Sequence, residues 1–486
     1  MASFKMIING KRIGAKESFV SLNPANEKPI AIFPKGTADD VKAAIGAAEE
    51  AYEKWSRVPP PARAQILLRA AQILRREKQS LGRLVTMEMG KVLAEGLGDV
   101  QEAIDIFEYM AGEGRRLFGH TTTSELPDKL AMTVRAPVGV MGLITPWNFP
   151  MAIPAWKLAP CIVCGNAAVF KPASDTPLCA LRIVEILERA GLPPGVVNLV
   201  TGPGGSVGSE IVKNKGIRGI SFTGSRDVGE FVVKNAGIKK VGLELGGKNG
   251  IIVMDDADLR LALDGVIWGA FGTTGQRCTA ASRVIVHSGV KEKFERMLLE
   301  SMAKLRLGDG LKKADVGPLI NKAAAEKVHG YVEVGMEEGA RLASGGHPAK
   351  VNGKGFFYQP TLFTDVATDM RIAQEEIFGP VLCLIEAASL DHAIDAMNSV
   401  TYGLSSSIYT KDIRSAMVAV RAIEAGLVYV NSSTIGSEVH LPFGGVKQTG
   451  NGAREGGIEG INEFSETKTV YIDYSGKLQK AQIDTG

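Results

Sequence analysis

The 486-residue chain is predicted to be an α/β protein, and three features of its sequence lead to that prediction. Helical and extended patterns alternate along most of the chain. From Gly139 onward, short apolar runs such as VMGLIT, AAVFKP and GISFTG are separated by helical stretches, and glycine-rich turns follow several of the runs. Short buried strands that alternate with helices are typical of a parallel sheet with helical crossovers.

The individual elements follow from hydrophobic spacing. Residues 38–56 and 61–80 carry apolar side chains at i, i+3 and i+4, which predicts two amphipathic helices near the N-terminus. A second series of strands and helices begins after Lys248 and includes RVIVH, SSSIYT and LVYVN. Two series of this kind predict two α/β domains.

Two polar stretches fall outside both series. The tail KTVYIDYSGKLQK alternates polar and apolar residues as an edge strand does, and HTTTSELPDKLAMTVRAPV alternates more weakly. Although they lie far apart in sequence, we expect them to pair into an arm used for oligomerisation.

Composition excludes several classes of function. The net charge is +3 and the basic residues are scattered, so no nucleic-acid partner is predicted. The N-terminus lacks the apolar core of a signal peptide. The most apolar window, residues 151–170, contains Lys157, Asn166 and two prolines, which argues against a membrane span. We therefore expect no membrane partner and a cytoplasmic location.

The five cysteines and six histidines do not predict a metal site. Cys161 and Cys164 form a CxxC pair, but this pair lies in an apolar helical run without a second pair or a nearby histidine. Buried core thiols are the favoured interpretation. The histidines are widely separated along the chain.

Two glycine-rich turns are candidate phosphate sites. The first has the spacing Gly202-x-Gly204-x-x-x-Gly208, and the second, FTGSRDVG, contains Gly224 and Gly229. Glycines allow backbone amides to approach a phosphate, and a helix N-terminus favours its charge. The spacing differs from GxGxxG, and each turn alone is as consistent with a tight connection. Two in succession favour nucleotide binding.

Two residues are candidates for covalent and acid–base chemistry. Cys278 follows the glycine-rich end of a predicted helix, and a sharp turn there would place its thiol in a cleft beside Arg277. A buried structural thiol fits the pattern equally well. Glu244 ends an apolar strand, where partial desolvation suits a general base. The alternative for Glu244 is a strand-end carboxylate paired with a lysine.

Aromatic residues surround a candidate oxyanion donor. ITPWNFP has a proline on each side of Trp147, Asn148 and Phe149, and these stiff flanks would hold the Asn148 amide in one place. Trp156 follows nine residues after Trp147 and would complete an apolar pocket, although ordinary core aromatics are the alternative. Glu376, in EEIFGPV, is either a site residue or part of a solvated helix end.

Together these segments resemble the aldehyde dehydrogenase superfamily. TPWNFP, VFKPAS, FTGSRDVG, LELGGKN, FGTTGQRCTA, EEIFGPV and LPFGGVKQTG occur in family-like order and spacing from about residue 20 to the C-terminus. The resemblance implies a Rossmann-like cofactor domain (1–118 and 138–246), an α/β catalytic domain (247–462) and a small β oligomerisation arm (119–137 and 463–486). It also implies a homodimer or homotetramer.

The resemblance assigns a role to each catalytic candidate. The Cys278 thiolate attacks a small-molecule aldehyde, and the Asn148 amide and the Cys278 N–H hold the oxyanion. NAD or NADP takes the hydride and a thioester is left. Glu244 activates the water that hydrolyses the thioester to the acid. Substrate-pocket positions are Phe149, Trp156, Arg277, Thr279 and Phe443.

The resemblance also identifies cofactor-binding positions. Lys171 matches the lysine that binds the adenosine ribose, and Glu376 matches the carboxylate that holds the nicotinamide ribose. NAD-preferring members often carry glutamate where this chain has Ser174, which favours NADP because serine can donate to a 2′-phosphate. The other positions carried over are Trp147, Gly204, Gly208, Phe222, Gly224, Ser225, Leu245 and Phe378.

Two alternative functions stay open at this point. A CoA-acylating relative tends to lack the general-base glutamate, so Glu244 favours hydrolysis. A non-catalytic binding or structural protein on the same fold would not need Cys278, Glu244, Asn148 and Lys171 together. The substrate itself is not indicated: Arg277 would suit an anionic semialdehyde, or it could point into a domain interface.

Overall fold

A computed structural model describes residues 2–483, so residue 1 of the predicted cofactor domain and residues 484–486 of the predicted arm lie outside the described residues. The elements up to residue 137 are β1 (Ala2–Ser3), β2 (Met6–Ile8), β3 (Lys11–Ile13), β4 (Ser18–Leu22), β5 (Pro29–Pro34), α1 (Ala38–Trp55), α2 (Pro60–Met89), α3 (Leu93–Glu113), β6 (Thr121–Thr123) and β7 (Lys129–Pro137). Those up to residue 244 are β8 (Val140–Ile144), α4 (Ala152–Cys164), β9 (Ala167–Lys171), α5 (Pro177–Arg189), β10 (Val197–Leu199), α6 (Ser209–Lys213), β11 (Gly219–Thr223), α7 (Arg226–Ala236) and β12 (Lys240–Glu244).

The remainder of the chain follows the same alternation. Its elements are β13 (Asn249–Val253), α8 (Leu259–Phe271), β14 (Ala281–His287), α9 (Lys291–Met302), α10 (Lys322–Glu337), β15 (Arg341–Ser344), β16 (Pro348–Val351), β17 (Lys354–Tyr358), β18 (Thr361–Thr364), α11 (Arg371–Gln374), β19 (Val381–Ala387), α12 (Leu390–Asn398), β20 (Tyr402–Gly403), β21 (Ser405–Tyr409), α13 (Ile413–Ala422), β22 (Leu427–Val430), β23 (Val446–Lys447), α14 (Glu459–Glu463) and β24 (Ser465–Asp473).

The first large sheet has seven strands in the order β12-β11-β8-β9-β10-β2-β3. Strands β8 to β12 are parallel, and β2 and β3 add antiparallel pairs at one edge. The strand order reverses at β8, because β9 lies on one side of it and β11 on the other. In doubly wound sheets of this kind, ligands bind outside the carboxyl ends of the strands at such a reversal.

The second large sheet has the order β15-β18-β19-β14-β13-β21-β22 and is parallel except for β15. Its central strands are buried along both faces, which explains their continuous runs of valine and isoleucine. Only residues 245–248 separate it from the first sheet, since β12 ends at Glu244 and β13 begins at Asn249. The α/β class and the Rossmann-like sheet are confirmed, whereas the exact domain limits stay a prediction.

A third sheet joins the two polar stretches. β24 pairs antiparallel with β7 along its whole length, from Ser465 beside Pro137 to Asp473 beside Lys129. The pairing agrees with the sequence expectation, but the sheet has three strands rather than two because Thr121–Thr123 forms the short strand β6 beside β7. Its role in oligomerisation stays a prediction.

Helix α4 lies in the core and carries both thiols of the CxxC pair. Cys161 and Cys164 are buried there, and burial raises the pKa of Cys164 to about 12. Within residues 2–483, histidine, cysteine and acidic side chains do not group as metal ligands. None of the helices in that range combines the length and apolarity needed to cross a bilayer.

Candidate active site

The carboxyl ends of the parallel strands bring several predicted site residues to one edge of the first sheet. Ile144, which ends β8, lies beside Lys171 of β9 and beside Phe222 of β11. Glu244 ends β12 opposite Thr223. The segments that follow β8 and β11 contain the predicted residues of ITPWNFP and FTGSRDVG. Parallel pairing therefore gathers motifs that are up to 100 residues apart in sequence.

A strained turn places the candidate nucleophile. α8 ends at Phe271 and is followed by a 3₁₀ turn over Gly272–Gly275, in which Thr273 and Thr274 have φ of 51° and 59°. Left-handed backbone is costly for β-branched residues and persists only where surrounding contacts hold it. Here the Thr273 N–H donates to Glu95 Oε1 at 2.6 Å, and Thr274 Oγ1 donates to the Gly317 carbonyl at 3.1 Å.

Gln276 fixes the segment just before the cysteine. It is fully buried, and its Oε1 accepts from the Ile320 N–H at 2.9 Å. Its backbone carbonyl accepts from Asn148 Nδ2 at 3.1 Å, so the predicted oxyanion donor lies next to the cysteine loop. On the other side, Asn249 Nδ2 donates to the Cys278 carbonyl at 2.7 Å. These bonds explain how residues from both sheets meet at Cys278.

The environment of Cys278 opposes ionisation. Burial of the thiol, together with the charges of Glu244 and Glu376, raises the pKa of Cys278 to about 12. The backbone N–H groups of Thr279 and of Cys278 itself act in the other direction because they donate to the sulfur. The thiol is thus the stable form at neutral pH in the absence of ligands.

Glu244 is buried without a hydrogen-bond partner for either carboxylate oxygen among residues 2–483. Burial, followed by the charge of Glu455, raises its pKa well above the ordinary value. Glu455 is itself paired with the buried Lys157, whose Nζ donates to Ser221 Oγ at 2.8 Å. An unpartnered buried carboxyl costs free energy. Such a group is often kept for chemistry with a bound molecule.

One cavity of about 130 Å³ joins the nucleophile to the acid. Cys278 and Glu244 both line it, and all five predicted pocket residues do too, namely Phe149, Trp156, Arg277, Thr279 and Phe443. Lining residues that sequence reasoning missed, or had placed elsewhere, are Glu102, Ile153, Thr223, Leu245, Gly436, Ser437 and Glu455.

Arg277 lies at this cavity, but its charge is already matched. Its Nη2 contacts Glu95 Oε1 at 3.1 Å, and its Nε donates to Thr273 Oγ1 at 2.8 Å. The guanidinium also lies over the rings of Phe149 and Trp268, at 5.3 and 4.9 Å from their centroids. The side chain therefore lines the cavity as half of an ion pair rather than as a free cation.

The predicted adenosine-side residues lie near the turn after β10. Lys171 is buried, which lowers its pKa to about 8, and its Nζ donates to the Pro172 carbonyl at 3.0 Å. Ser174 Oγ donates to the Gly202 carbonyl at 3.4 Å. Gly204–Gly208 forms a π-helical turn, and a Cβ on Gly208 would meet the Lys171 side chain at 3.7 Å. The Gly202–Gly208 turn thus adjoins Lys171.

The second glycine turn places a free polar side chain at a helix start. Ser225 is the exposed N-cap of α7, with no side-chain capping bond. Gly224 precedes it, and a Cβ there would meet the ring of Phe222 at 2.5 Å. Phe222 is buried, and Leu245 packs against Gly229. These two predicted residues therefore pack against the turn and hold its position.

The Glu376 carboxylate packs closely against the backbone of Gly246 and Gly247. Its Oε1 accepts from the Gly247 N–H at 3.0 Å, and a Cβ on Gly246 would lie only 2.4 Å from its Oε2. Phe378 has φ of 61° and packs edge-on against Trp147, with ring centroids 5.5 Å apart. Lys327, which sequence reasoning missed, donates from Nζ to the Glu376 carbonyl at 3.0 Å.

Comparison with known proteins identifies the family. The sequence profile described as the aldehyde dehydrogenase family matches residues 12–470. The chain belongs to the aldehyde dehydrogenase family. It is 43% identical to the alpha-ketoglutaric semialdehyde dehydrogenase of Bacillus subtilis, over 93% of each chain. It is 42% identical to the 2,5-dioxopentanoate dehydrogenase of Saccharolobus solfataricus, over 94% of this chain and 97% of that one.

Solved structures agree with this assignment. A betaine aldehyde dehydrogenase from Staphylococcus aureus in complex with NAD+ is similar with a TM-score of 0.96 and 35% identity, covering 98% of this chain and 96% of that one. An NADP-dependent enzyme from E. coli is similar with a TM-score of 0.94 and 38% identity, covering 97% and 98%. The protein is an NAD(P)-dependent oxidoreductase that acts on aldehydes.

Three acids of α3 are the residues of this aldehyde dehydrogenase that sequence reasoning missed most clearly. Glu95, Asp99 and Glu102 have i, i+4 and i+7 spacing and so share one helix face. Asp99 accepts from the backbone N–H of Ala152 at 2.7 Å, at the start of α4. Three acids on the face of a helix that otherwise carries buried apolar residues are the signal that could have identified them.

Glu95→Ala is expected to lower the free energy of unfolding by about 3 kcal/mol, because it leaves the buried Thr273 N–H and the Arg277 guanidinium without their acceptor. Urea denaturation would measure the loss. Glu95→Gln is the control, since it keeps an acceptor oxygen for Thr273 and should cost less. A loss below about 1 kcal/mol in the alanine variant would contradict a holding role for Glu95.

Proposed function

We propose that this aldehyde dehydrogenase oxidises a semialdehyde, whose distal end carries a carboxylate, to the corresponding diacid through a thioester on Cys278. The observation that carries the thioester chemistry is one cavity lined by both Cys278 and Glu244. The similarity to enzymes named for alpha-ketoglutaric semialdehyde and 2,5-dioxopentanoate supports the semialdehyde class.

The first step is attack by the Cys278 sulfur on the aldehyde carbon. The developing oxyanion is held by Asn148 Nδ2 and by the Cys278 backbone N–H. Asn148 suits this role because it is buried and its amide is fixed by one hydrogen bond to the Gln276 carbonyl, which leaves its second hydrogen for the substrate. Donors held in place before reaction stabilise an oxyanion without reorganisation.

Thiolate formation is coupled to Glu244. Each group raises the cost of ionising its neighbour, since the charge of Glu244 is among the causes that raise the pKa of Cys278. The site therefore favours a single negative charge shared by the two groups. Transfer of the thiol proton to Glu244 moves that charge onto the sulfur, which generates the nucleophile.

The chain's own residues would hold the cofactor on either side of this site. When bound, NAD(P) accepts the hydride that leaves the substrate carbon. Lys171 and Ser174 would hold the adenosine ribose, and Glu376 would hold the nicotinamide ribose. The residues fit such a group, because within residues 2–483 Lys171 Nζ donates its one hydrogen bond to the Pro172 carbonyl, and Gly246 has no Cβ in front of Glu376. The half-exposed hydroxyl of Ser174 favours NADP over NAD.

Once it has released the thiol proton to solvent, Glu244 serves next as the base for thioester hydrolysis. It must be ionised to take a proton from water, and burial raises its pKa, so the competent fraction grows as pH rises toward that pKa. The charge of Lys157 lowers the same pKa and so opposes the effect of burial. Hydrolysis should therefore accelerate with increasing pH.

Assembly and location are also proposed from surface and cysteine chemistry. The arm strands leave Leu130, Val134, Tyr471 and Ile472 exposed, which favours burial against another subunit in a homodimer or homotetramer. All five cysteines are unpaired, as is usual in the reducing cytoplasm.

Initial rates with a panel of aldehydes, each with NAD and with NADP, test the proposal. Reduced cofactor is followed by its absorbance. Succinate semialdehyde and 2,5-dioxopentanoate are expected to exceed butanal and benzaldehyde in kcat/KM. The rate should not depend on added coenzyme A, because Glu244 directs the acyl group to water. A preference for neutral aldehydes would reject the semialdehyde assignment and keep the family chemistry.

A further inference from the structure

One wall of the substrate cavity includes Glu102 of α3, Phe149 and Arg277. Two cations lie at or behind this wall, since Arg277 lines the cavity and Lys91 lies over the ring of Phe149, and each is matched by its own acid. Lys91 Nζ lies 3.1 Å from Asp99 Oδ2, and Arg277 Nη2 lies 3.1 Å from Glu95 Oε1. These pairs are buried or nearly so, and they leave no net charge for recognition of a substrate.

Glu102 is the remaining acid of this wall. It lines the cavity together with Cys278 and is half-buried. Trp156, from α4, lines the same cavity, and its buried indole N–H has no hydrogen-bond partner among residues 2–483. Glu102 takes part in no ion pair across the same residues. Because Lys91 and Arg277 are already matched, Glu102 alone decides whether the wall is neutral or negative.

We propose that Glu102 determines the charge that the cavity accepts at the distal end of the substrate. In its neutral form the carboxyl group donates a hydrogen bond to the distal carboxylate of a semialdehyde. In its ionised form it repels that carboxylate, so a charged substrate binds more weakly and an uncharged aldehyde is unaffected. This inference rests on the proposed function and adds a specificity-determining residue to it.

The ionisation of Glu102 falls in the range where such a choice matters. Burial, followed by the charge of Asp99, raises the pKa of Glu102 to about 7, while Lys91 and Arg277 oppose the rise. A raised pKa means that the group is neutral below about pH 7 and charged above it. The other acids that line the cavity are Glu244 and Glu455, the second of which is paired with Lys157.

The test compares a charged and an uncharged aldehyde of equal chain length over pH. For succinate semialdehyde and butanal, the ratio of their kcat/KM values cancels the pH dependence of the common chemistry. This ratio should fall roughly tenfold between about pH 6 and about pH 8, as a single carboxyl of raised pKa ionises. A constant ratio in the unmodified enzyme would overturn the proposal.

Glu102→Gln keeps the shape and a donor but cannot ionise. For this variant, the kcat/KM for succinate semialdehyde divided by that for butanal should be independent of pH. Near pH 8 it should be about tenfold above the value for the unmodified enzyme. Glu108→Gln makes the same chemical change on α3 at a residue that pairs with Arg75 away from the cavity, and it should reproduce the unmodified profile. If the kcat/KM ratio of the Glu102→Gln variant varied with pH as it does in the unmodified enzyme, the role of Glu102 would be overturned. If the unmodified enzyme oxidised neither aldehyde, the proposed function itself would be overturned.

Discussion

Replacing Cys278 by alanine is expected to lower the rate of aldehyde oxidation by at least about 10⁴-fold, because no other group in the cavity can form the thioester. The other cysteines, Cys161, Cys164, Cys179 and Cys383, are buried away from the cavity. The fold should tolerate the change, since Cys278 is only half-buried and its loop is held by the bonds of Gln276 and Asn249.

Two measurements separate lost chemistry from lost structure in this variant. Cofactor affinity, followed by quenching of tryptophan fluorescence, should remain within about twofold, because the cysteine is not among the residues proposed to hold the ribose groups. The thermal unfolding midpoint should change little. Residual oxidation above about 1% of the unmodified rate would reject Cys278 as the nucleophile.

Replacing Glu244 by glutamine is expected to separate the two halves of the reaction. Thioester formation should continue, whereas hydrolysis should slow by about 10²- to 10⁴-fold because water loses its base. Each site would then release about one equivalent of reduced cofactor in a burst, followed by a slow steady state. Rapid-mixing absorbance would measure the burst, and mass spectrometry would detect the acyl group on Cys278.

The pH dependence gives the same experiment a second readout. Hydrolysis by the unmodified enzyme should speed up as pH rises toward the raised pKa of Glu244, whereas the glutamine variant should show no such increase. Because Glu244 also accepts the thiol proton in the proposed first step, the burst itself should be slower in the variant. A variant with the unmodified steady-state rate would reject Glu244 as the base.

Sequence patterns were sufficient to predict the fold class, the pairing of the arm strands and the family. The reason is that each depends on local periodicity or on a short motif. Alternating strands and helices specify a parallel sheet, and the carboxyl ends of parallel strands meet at one edge. Motifs such as ITPWNFP and LELGGKN could therefore be expected to converge before any contact was known. The roles and domain limits carried over from the family stay predictions.

Pairing between distant side chains could not be predicted in this way. Arg277 was expected to meet either the substrate or a domain interface, and it lies at the cavity bonded to Glu95, a residue 182 positions away. The buried Lys157 meets Glu455 across 298 positions. The α3 pattern indicates that Glu95 is buried but not which cation it meets, and Glu455 lies outside the helices in an isolated bridge with Phe443, where no periodic pattern indicates its partner.

The sequence by itself determined the α/β elements of this aldehyde dehydrogenase and the chemical groups available to its site. Only the tertiary structure decided which charges are matched, which carboxyls are buried and which side chains share the cavity. The physical reason is that ionisation and specificity depend on desolvation and on partners within a few ångströms. Those conditions arise when separate segments pack together, and no local pattern encodes them.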